Sequence, residues 1–300
     1  MYNNLVPLSQ DKHATIKVKA VNSYLFARKI YMTFIGVTEF HRASSIYPIV
    51  FIENTETAMF QPVVLLGLQP EENLFVDDTG KWDASYIPAI IRQYPFGMAT
   101  GKEETRFTIC FDDQSEFISE NEGEPLFKED GQPGDVLENI KQYLSQLKQM
   151  EILTKEFCQI LKERNMFAPL NMSISNAGDL KRITGGYMIN EQRLNNIPDS
   201  EFLFFRKKNA LPFIYNHLSS LSQIERLMKL RSNTKKEPVK PEKKSVIKSK
   251  PKKISKKELI KIKSKKRLES KKENLKSDTE PKKEPLKSDT EPKKETQKTT

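Results

Sequence analysis

Histidine is the side chain that most often binds a metal ion, and this sequence contains three histidines. His13, His41 and His217 show none of the H-x-H, H-x-x-x-H or H-E-x-x-H spacings that present two imidazoles to one metal ion. We therefore predict no metal site. His217 lies one position before Leu218 on a predicted amphipathic helix, so we expect it to be a buried or boundary histidine rather than a functional one.

Two pairs of adjacent carboxylates stand where predicted strands end. Asp77-Asp78 follows LFV, and Asp112-Asp113 follows ICF. Carboxylates at such places can converge on a cation or on sugar hydroxyls, or act as an acid and a base. Aspartate is also common in turns, because its side chain accepts hydrogen bonds from nearby backbone N–H groups. The sequence favours turn chemistry and does not decide whether the two pairs meet.

No catalytic motif accompanies these residues. The sequence contains no nucleophile elbow, P-loop or GxGxxG, and its Ser, Cys and Lys residues have no neighbouring base at an informative spacing. We therefore predict no catalytic residue, and the sequence identifies no cofactor. A non-enzymatic protein is favoured over an enzyme.

Short apolar runs between residues 14 and 120 predict the strands that would position these side chains. A hairpin is predicted through Gln69 to Glu72, between the third and fourth runs, and a short helix from Tyr86 to Arg92, with Pro88 in its first turn. The runs of strand length and β-branched content are Tyr24–Arg28, Ile46–Ile52, Val63–Leu68, Asn73–Val76 and Arg106–Phe111.

The hydrophobic period changes between Pro133 and Arg164. Apolar residues recur there at threes and fours, which predicts an amphipathic helix of roughly 30 residues. Beyond it, Met172–Ile174 and Ile183–Ile189 predict a small hairpin. Asp199 can cap one further helix, and Pro212 can open another.

Residues 1–231 and 232–300 differ sharply in composition. The last 69 residues carry 25 of the 50 Lys and Arg but 11 of the 40 Asp and Glu, a net charge of +14, and no aromatic residue. We predict a disordered Lys-rich tail with an 11-residue tandem repeat, because it buries too little apolar surface to offset its ordering entropy. The first 231 residues predict an α+β domain, with an antiparallel or mixed β-rich half (1–130) packed with a long amphipathic helix and a small helical C-terminal part (131–231).

Composition also bears on location. The N-terminus lacks the features of a secretory signal, and no apolar stretch is long enough to be a transmembrane segment. Cys110 and Cys158 are the only two cysteines, which fits a reducing compartment, and we expect both to be buried thiols. We predict a cytoplasmic protein that can lie at the periphery of the inner membrane. The basic tail would either contact polyanions without sequence specificity or serve as a solubilising tether.

A series of motifs through residues 1–231 resembles the SapC family. The longest motif, residues 72–96, joins a predicted strand, a turn with Trp82 and a helix bounded by prolines, and it is too long to match by chance. In order, the motifs are YPIVF (47–51), LLGL (65–68), ENLFVDDTGKWDASYIPAIIRQYPF (72–96), EGEPLF (122–127), LNNIPD (194–199) and LPFIYNHLSSLSQIERL (211–227). The chain is identified as a member of that family.

The resemblance implies an association with bacterial surface-layer (S-layer) proteins, for which the family is named. Members are sometimes labelled peptide-transport permeases, but this sequence has none of the apolar spans that a permease needs. The family carries no catalytic residue over to this chain. The expected role is partner binding in surface-layer or envelope protein biogenesis, with a surface-layer or envelope export protein as the partner.

The longest shared motif is rich in Trp, Tyr, Pro and Phe, which fits either core packing or an aromatic pocket. If a pocket exists, the residues expected to line it are Trp82, Asp83, Tyr86, Arg92 and Tyr94. Their aromatic faces would stack on a ligand, while Arg92 and Asp83 would orient its polar groups. Two alternatives to partner binding remain open: a small-molecule-binding subunit or enzyme that uses residues 77–96, and tail-mediated binding of nucleic acid or an anionic surface.

Overall fold

The computed structural model describes residues 1–100, 107–176, 179–183 and 185–234. The predicted Lys-rich tail lies outside the described residues from position 235 onward. Helices and antiparallel sheets share the described chain, so the α+β prediction is confirmed. No helix in these residues is both long enough and apolar enough to cross a bilayer.

The strands of the described chain pair in four antiparallel sheets. The largest sheet has the order β10-β13-β4-β5-β3, and the others are β1-β7-β6, β8-β2-β9 and β11-β12. Their bounds are β1 Leu5–Pro7, β2 Lys17–Val18, β3 Met32–Phe34, β4 Ile49–Asn54, β5 Met59–Leu65, β6 Phe96–Thr100, β7 Phe107–Asp112, β8 Ile118–Ser119, β9 Glu124–Pro125, β10 Phe167–Pro169, β11 Met172–Asn176, β12 Asp179–Ile183 and β13 Tyr187–Ile189.

The helices include one that is far longer than the rest. Their bounds are α1 Gln10–His13, α2 Phe40–Ala43, α3 Ala89–Arg92, α4 Asp135–Glu163, α5 Glu191–Asn195, α6 Asp199–Lys207, α7 Leu211–Ser220 and α8 Gln223–Thr234. Helix α4 agrees with the helix predicted between Pro133 and Arg164. The helix that Pro212 was expected to open is two helices, α7 and α8.

Helix α4 takes part in two hydrophobic cores because its apolar stripe is long enough to reach both. In its N-terminal half, Leu144 packs in a core with Phe96 of β6 and Phe111 of β7. In its C-terminal half, Phe157 and Leu161 belong to the largest core, which also contains the inner faces of β4 and β5. A helix of 29 residues spans about 44 Å, enough for both contacts.

Two of the predicted strands are wrong. The run Tyr24–Arg28 contains a 3₁₀ turn at Leu25–Ala27 instead. In the run Asn73–Val76, the side chain of Asn73 accepts the N–H of Phe75 at 3.0 Å and donates to the carbonyl of Ala27 at 2.9 Å. The bond to Phe75 is local and competes with a strand ladder, and the bond to Ala27 fixes the segment to a distant part of the chain. Since residues 73–76 form no strand, the hairpin predicted through Gln69–Glu72 is also wrong.

The two cysteines behave as expected. Cys110 and Cys158 are free and buried. Burial raises the pKa of the Cys158 thiol to about 12. Both thiols therefore contribute to packing as small apolar side chains.

Candidate functional site

An open groove of about 540 Å³ lies beside the N-terminal half of α4. One side is the face of α4 that carries Ile140 and Tyr143, and another is the chain from Val18, the last residue of β2, to Val21. The third is the segment Arg92–Phe96, which joins α3 to β6. We call this feature the α4 groove. Its volume lies in the range of about 300–1,000 Å³ that is usual for ligand sites.

Local sequence explains why these residues meet. On α4, Val136, Ile140 and Tyr143 are spaced by four and three residues, so they fall on one face of the helix. Pro88 stands at the start of α3, where its missing N–H costs no helical hydrogen bond. Helix α3 ends at Arg92, shortly before Pro95, because proline disfavours the helical conformation in the residue before it. The chain between the two prolines is thus a short helix whose end faces the groove.

Arg92 is one of the five predicted site residues, and it lines the α4 groove. Its Nε donates to the carbonyl oxygen of Ile87 at 3.0 Å. Its guanidinium carbon lies 5.7 Å from the ring centroid of Tyr86 and 5.6 Å from that of Tyr143, both within cation–π range. The exposed guanidinium is therefore held in place at the edge of the groove.

Tyr94, the second predicted residue in the groove, is built into its wall. The ring stacks on Phe26 with centroids 4.0 Å apart, and the hydroxyl donates to Oδ2 of Asp112 at 3.1 Å. Burial is the main cause of the raised pKa of Tyr94. The residue can offer a ligand part of its ring, while its hydroxyl is engaged inside the protein.

Trp82 and Asp83 do not line the α4 groove. Trp82 is buried, and its Nε1 donates to the hydroxyl of Tyr47 at 2.9 Å. That hydroxyl in turn donates to the carbonyl of Tyr86. Asp83 is exposed, and its backbone N–H donates to Phe75 at 2.7 Å. These contacts hold the segment that contains Trp82 and Asp83 in the fold. Ligand binding by either residue stays a prediction.

Sequence reasoning missed a buried carboxylate behind Tyr86. Glu39 is only 5% exposed, and it accepts hydrogen bonds from the N–H of Gly36 at 3.0 Å, the N–H of Ala89 at 2.8 Å and the hydroxyl of Tyr86 at 2.5 Å. Burial, together with Glu39, raises the pKa of Tyr86. The guanidinium carbon of Arg42 lies 4.6 Å from the Tyr86 ring centroid. Only the three-residue spacing from Gly36 to Glu39, typical of a helix start, could have pointed to this carboxylate.

Tyr143 is the second residue that sequence reasoning missed. Its hydroxyl donates to the carbonyl of Ala89 at 2.8 Å, which ties α4 to α3. Burial raises the pKa of Tyr143 to about 12. The signal was present in the sequence, since Tyr143 sits between Ile140 and Leu144 on the apolar stripe of α4.

The Asp112-Asp113 pair anchors the N-terminus. Asp112 is fully buried and accepts the backbone N–H groups of Asn3 and Asn4, each at 2.9 Å. Burial alone would raise the pKa of Asp112, but these bonds and the hydroxyl of Tyr94 outweigh it and lower the pKa. This carboxylate therefore holds β1 beside β7, next to the wall of the groove.

The Asp77-Asp78 pair serves a separate turn. Oδ1 of Asp77 accepts the N–H groups of Thr79 at 2.8 Å and Lys81 at 3.0 Å, and Asp78 is paired with Arg28. The hydroxyl of Thr79 and these backbone bonds lower the pKa of Asp77. Turn chemistry thus accounts for this pair. Across the residues that the structure describes, no group of three or more His, Cys, Asp or Glu is placed to hold a metal ion.

Comparison with known protein families gives a match over most of the chain. The profile of the SapC family matches residues 8–227, which include every segment that lines the α4 groove. No curated protein and no solved structure matches the chain. Since the matched region is well over half of the sequence, the chain belongs to the SapC family.

Proposed function

We propose that this chain is a non-enzymatic binding protein of surface-layer or envelope protein biogenesis, and that it holds a segment of a polypeptide partner in the α4 groove. The observation that carries the proposal is the groove itself, which is open, mainly apolar and edged by a fixed guanidinium. Membership of the SapC family supplies the link to surface-layer proteins, after which the family is named.

The polar groups around the groove support binding rather than catalysis. The hydroxyls of Tyr94 and Tyr143 donate to acceptors inside the protein. The carboxylates of Glu39 and Asp112 are buried and accept several hydrogen bonds each. A general acid or base must reach the proton that it transfers, and these groups are engaged elsewhere.

The shape of the groove favours a polypeptide. An open apolar channel beside a helix can take an extended segment whose side chains enter it in turn. A small amphipathic molecule is the second candidate, because the volume of about 540 Å³ also suits a ligand of that size.

Two further parts of the proposal concern location and the tail. We place the action of the protein in the cytoplasm, since both cysteines are free thiols, as is usual in a reducing compartment. The net charge of +14 over residues 232–300 would add electrostatic attachment to an anionic surface.

A substitution that fills the groove tests the proposal. Asn139 is an exposed residue of α4 that lines the groove, so Asn139→Trp should block it without disturbing the core. Ser145→Trp is the matched control, because Ser145 is exposed on the same helix and does not line the groove. The full-length wild type and both variants would each be used for affinity capture from the native bacterium, with nuclease treatment and identification of retained proteins and small molecules.

The proposal expects one surface-layer or exported envelope protein to be retained by the wild type and by Ser145→Trp, and lost with Asn139→Trp. Equal retention by all three proteins would exclude the groove as the binding site. If no protein is retained, and a small molecule is retained by the wild type and by Ser145→Trp but not by Asn139→Trp, the ligand is a small amphipathic molecule and not a polypeptide.

A further inference from the structure

One end of the α4 groove carries a cation whose position is fixed. The Nε–H of Arg92 is bonded to Ile87, and its guanidinium stacks near Tyr86 and Tyr143. No carboxylate of the described residues forms an ion pair with Arg92. A pre-oriented guanidinium can bind an incoming carboxylate through two parallel hydrogen bonds.

The other charges near this end do not remove the preference of Arg92 for an anion. Arg42 adds a second guanidinium above Tyr86. The carboxylate of Glu39 lies behind Tyr86 and offsets part of the positive charge, but it is buried and its oxygens are taken by backbone and hydroxyl donors. An anion that enters the groove would meet the guanidinium of Arg92, which lines it, before the buried carboxylate of Glu39.

The opposite end of the groove carries an anion. Glu124 lines the groove, is exposed, and forms no ion pair within the described part of the chain. Three pairs of opposite charge lie along β2, β9 and the first turns of α4: Lys19 with Glu122 at 3.8 Å, Lys128 with Asp135 at 3.8 Å, and Lys141 with Glu138 at 3.7 Å.

Helix α4 sets the spacing between these two ends. Glu124 belongs to the β9 segment, whose next residues reach the start of α4, where the N–H of Gly134 donates to Leu126 at 2.8 Å. Arg92 instead stacks with Tyr143, seven residues beyond Val136 at the near end of the groove. Seven helical residues rise about 10 Å. Two charged residues with three residues of extended chain between them lie about 13 Å apart, so their side chains can reach both ends of the groove.

We infer that the α4 groove selects an extended polypeptide segment of opposite terminal charges, with a carboxylate side chain bound at Arg92, a basic side chain bound at Glu124, and about three apolar residues between them. The inference rests on the proposed function and adds the chemistry and polarity of the segment. Its apolar middle would pack on Ile140 and Phe96, which line the groove between the two ends.

Synthetic peptides with a constant apolar middle test this inference by fluorescence anisotropy. The probes are labelled, end-blocked peptides containing DLIVK, KLIVD, DLIVD, KLIVK or NLIVN, titrated with the full-length protein. One of the two bipolar orders should bind about five-fold more tightly than the like-charged and neutral peptides, as expected for one added exposed ion pair at each end and the loss of repulsion. The preference should weaken as salt is raised.

Reversing the charges of the groove supplies the decisive arm. Arg92→Glu combined with Glu124→Lys should make the protein prefer the other bipolar order. Both positions are exposed, and circular dichroism and thermal unfolding would establish that the double variant folds. An unchanged order of preference in the double variant would overturn the inference.

The Asn139→Trp and Ser145→Trp variants separate this inference from the proposed function. If the wild type binds all five peptides equally and Asn139→Trp abolishes that binding, the bipolar selectivity is refuted and the groove remains a binding site. Binding that Asn139→Trp does not weaken, or no binding of any peptide at millimolar protein concentration, would refute the groove itself. The Lys-rich tail is present in every variant, so its attraction for acidic peptides cancels in the comparison.

Discussion

Acidification should destabilise the protein through one buried histidine. His217 is fully buried, its Nε2 accepts the backbone N–H of Ile189 at 3.0 Å, and its ring lies 5.0 Å from that of Phe51. Burial lowers the pKa of His217 to about 3 from its ordinary value of 6.5. As the pH falls below 6.5, His217 therefore gains a proton in the unfolded chain but stays neutral in the folded protein. Between pH 7 and pH 5 this should lower the free energy of unfolding by about 2 kcal/mol.

Urea unfolding at several pH values between 5 and 8 measures this effect. His217→Gln keeps an oxygen that can accept the N–H of Ile189 and has no proton to gain, so its stability should be lower at pH 7 but nearly independent of pH in this range. His41→Gln is the matched control, because His41 is exposed and its replacement should leave the pH dependence unchanged. A loss of about 2 kcal/mol that persists in His217→Gln would refute the reasoning.

The remaining predictions concern other buried groups. Glu39→Gln should lower the free energy of unfolding by about 2 kcal/mol in urea, because an amide accepts weaker hydrogen bonds than a carboxylate, and an unchanged midpoint would contradict this. Asp112→Asn should lower the free energy of unfolding by a similar amount at pH 7. Because the pKa of Asp112 is lowered in the folded protein, the difference in unfolding free energy between this variant and the wild type should shrink as the pH falls below 3.8. A difference that stays constant with pH would contradict this prediction. Cys110 and Cys158 should react with a thiol reagent only after denaturation, since burial raises the pKa of both; rapid labelling of the native protein would count against this.

Helix α4 was predictable because its signal is long and regular. An apolar residue at every third or fourth position over 29 residues specifies a helix almost regardless of context. Short apolar runs carry less information, since a strand, a 3₁₀ turn and a buried loop look alike over five residues. The run Tyr24–Arg28 was misread for this reason, and the true hairpin between β4 and β5 depends on Asn54, whose Oδ1 accepts the N–H groups of Glu56 and Thr57.

The candidate site was partly predictable. Arg92 and Tyr94 lie in one motif, so sequence reasoning grouped them, and both line the α4 groove. Tyr143 and Glu124 lie about 30 to 50 residues further along the chain, and their place in the groove depends on how α4 packs against β6. That packing follows from long-range contacts in the core that Leu144 shares with Phe96 and Phe111, which no local pattern reports.

Photo-crosslinking in living cells tests the central claim most directly. Asn139 in the α4 groove, or Ser145 outside it, would be replaced by the photoreactive amino acid benzoylphenylalanine in the full-length protein, and crosslinked partners would be identified after irradiation. The account predicts a covalent adduct with a surface-layer or exported envelope polypeptide from position 139 and not from position 145. Adducts that are the same from both positions, or an absence of any polypeptide adduct from position 139, would contradict it.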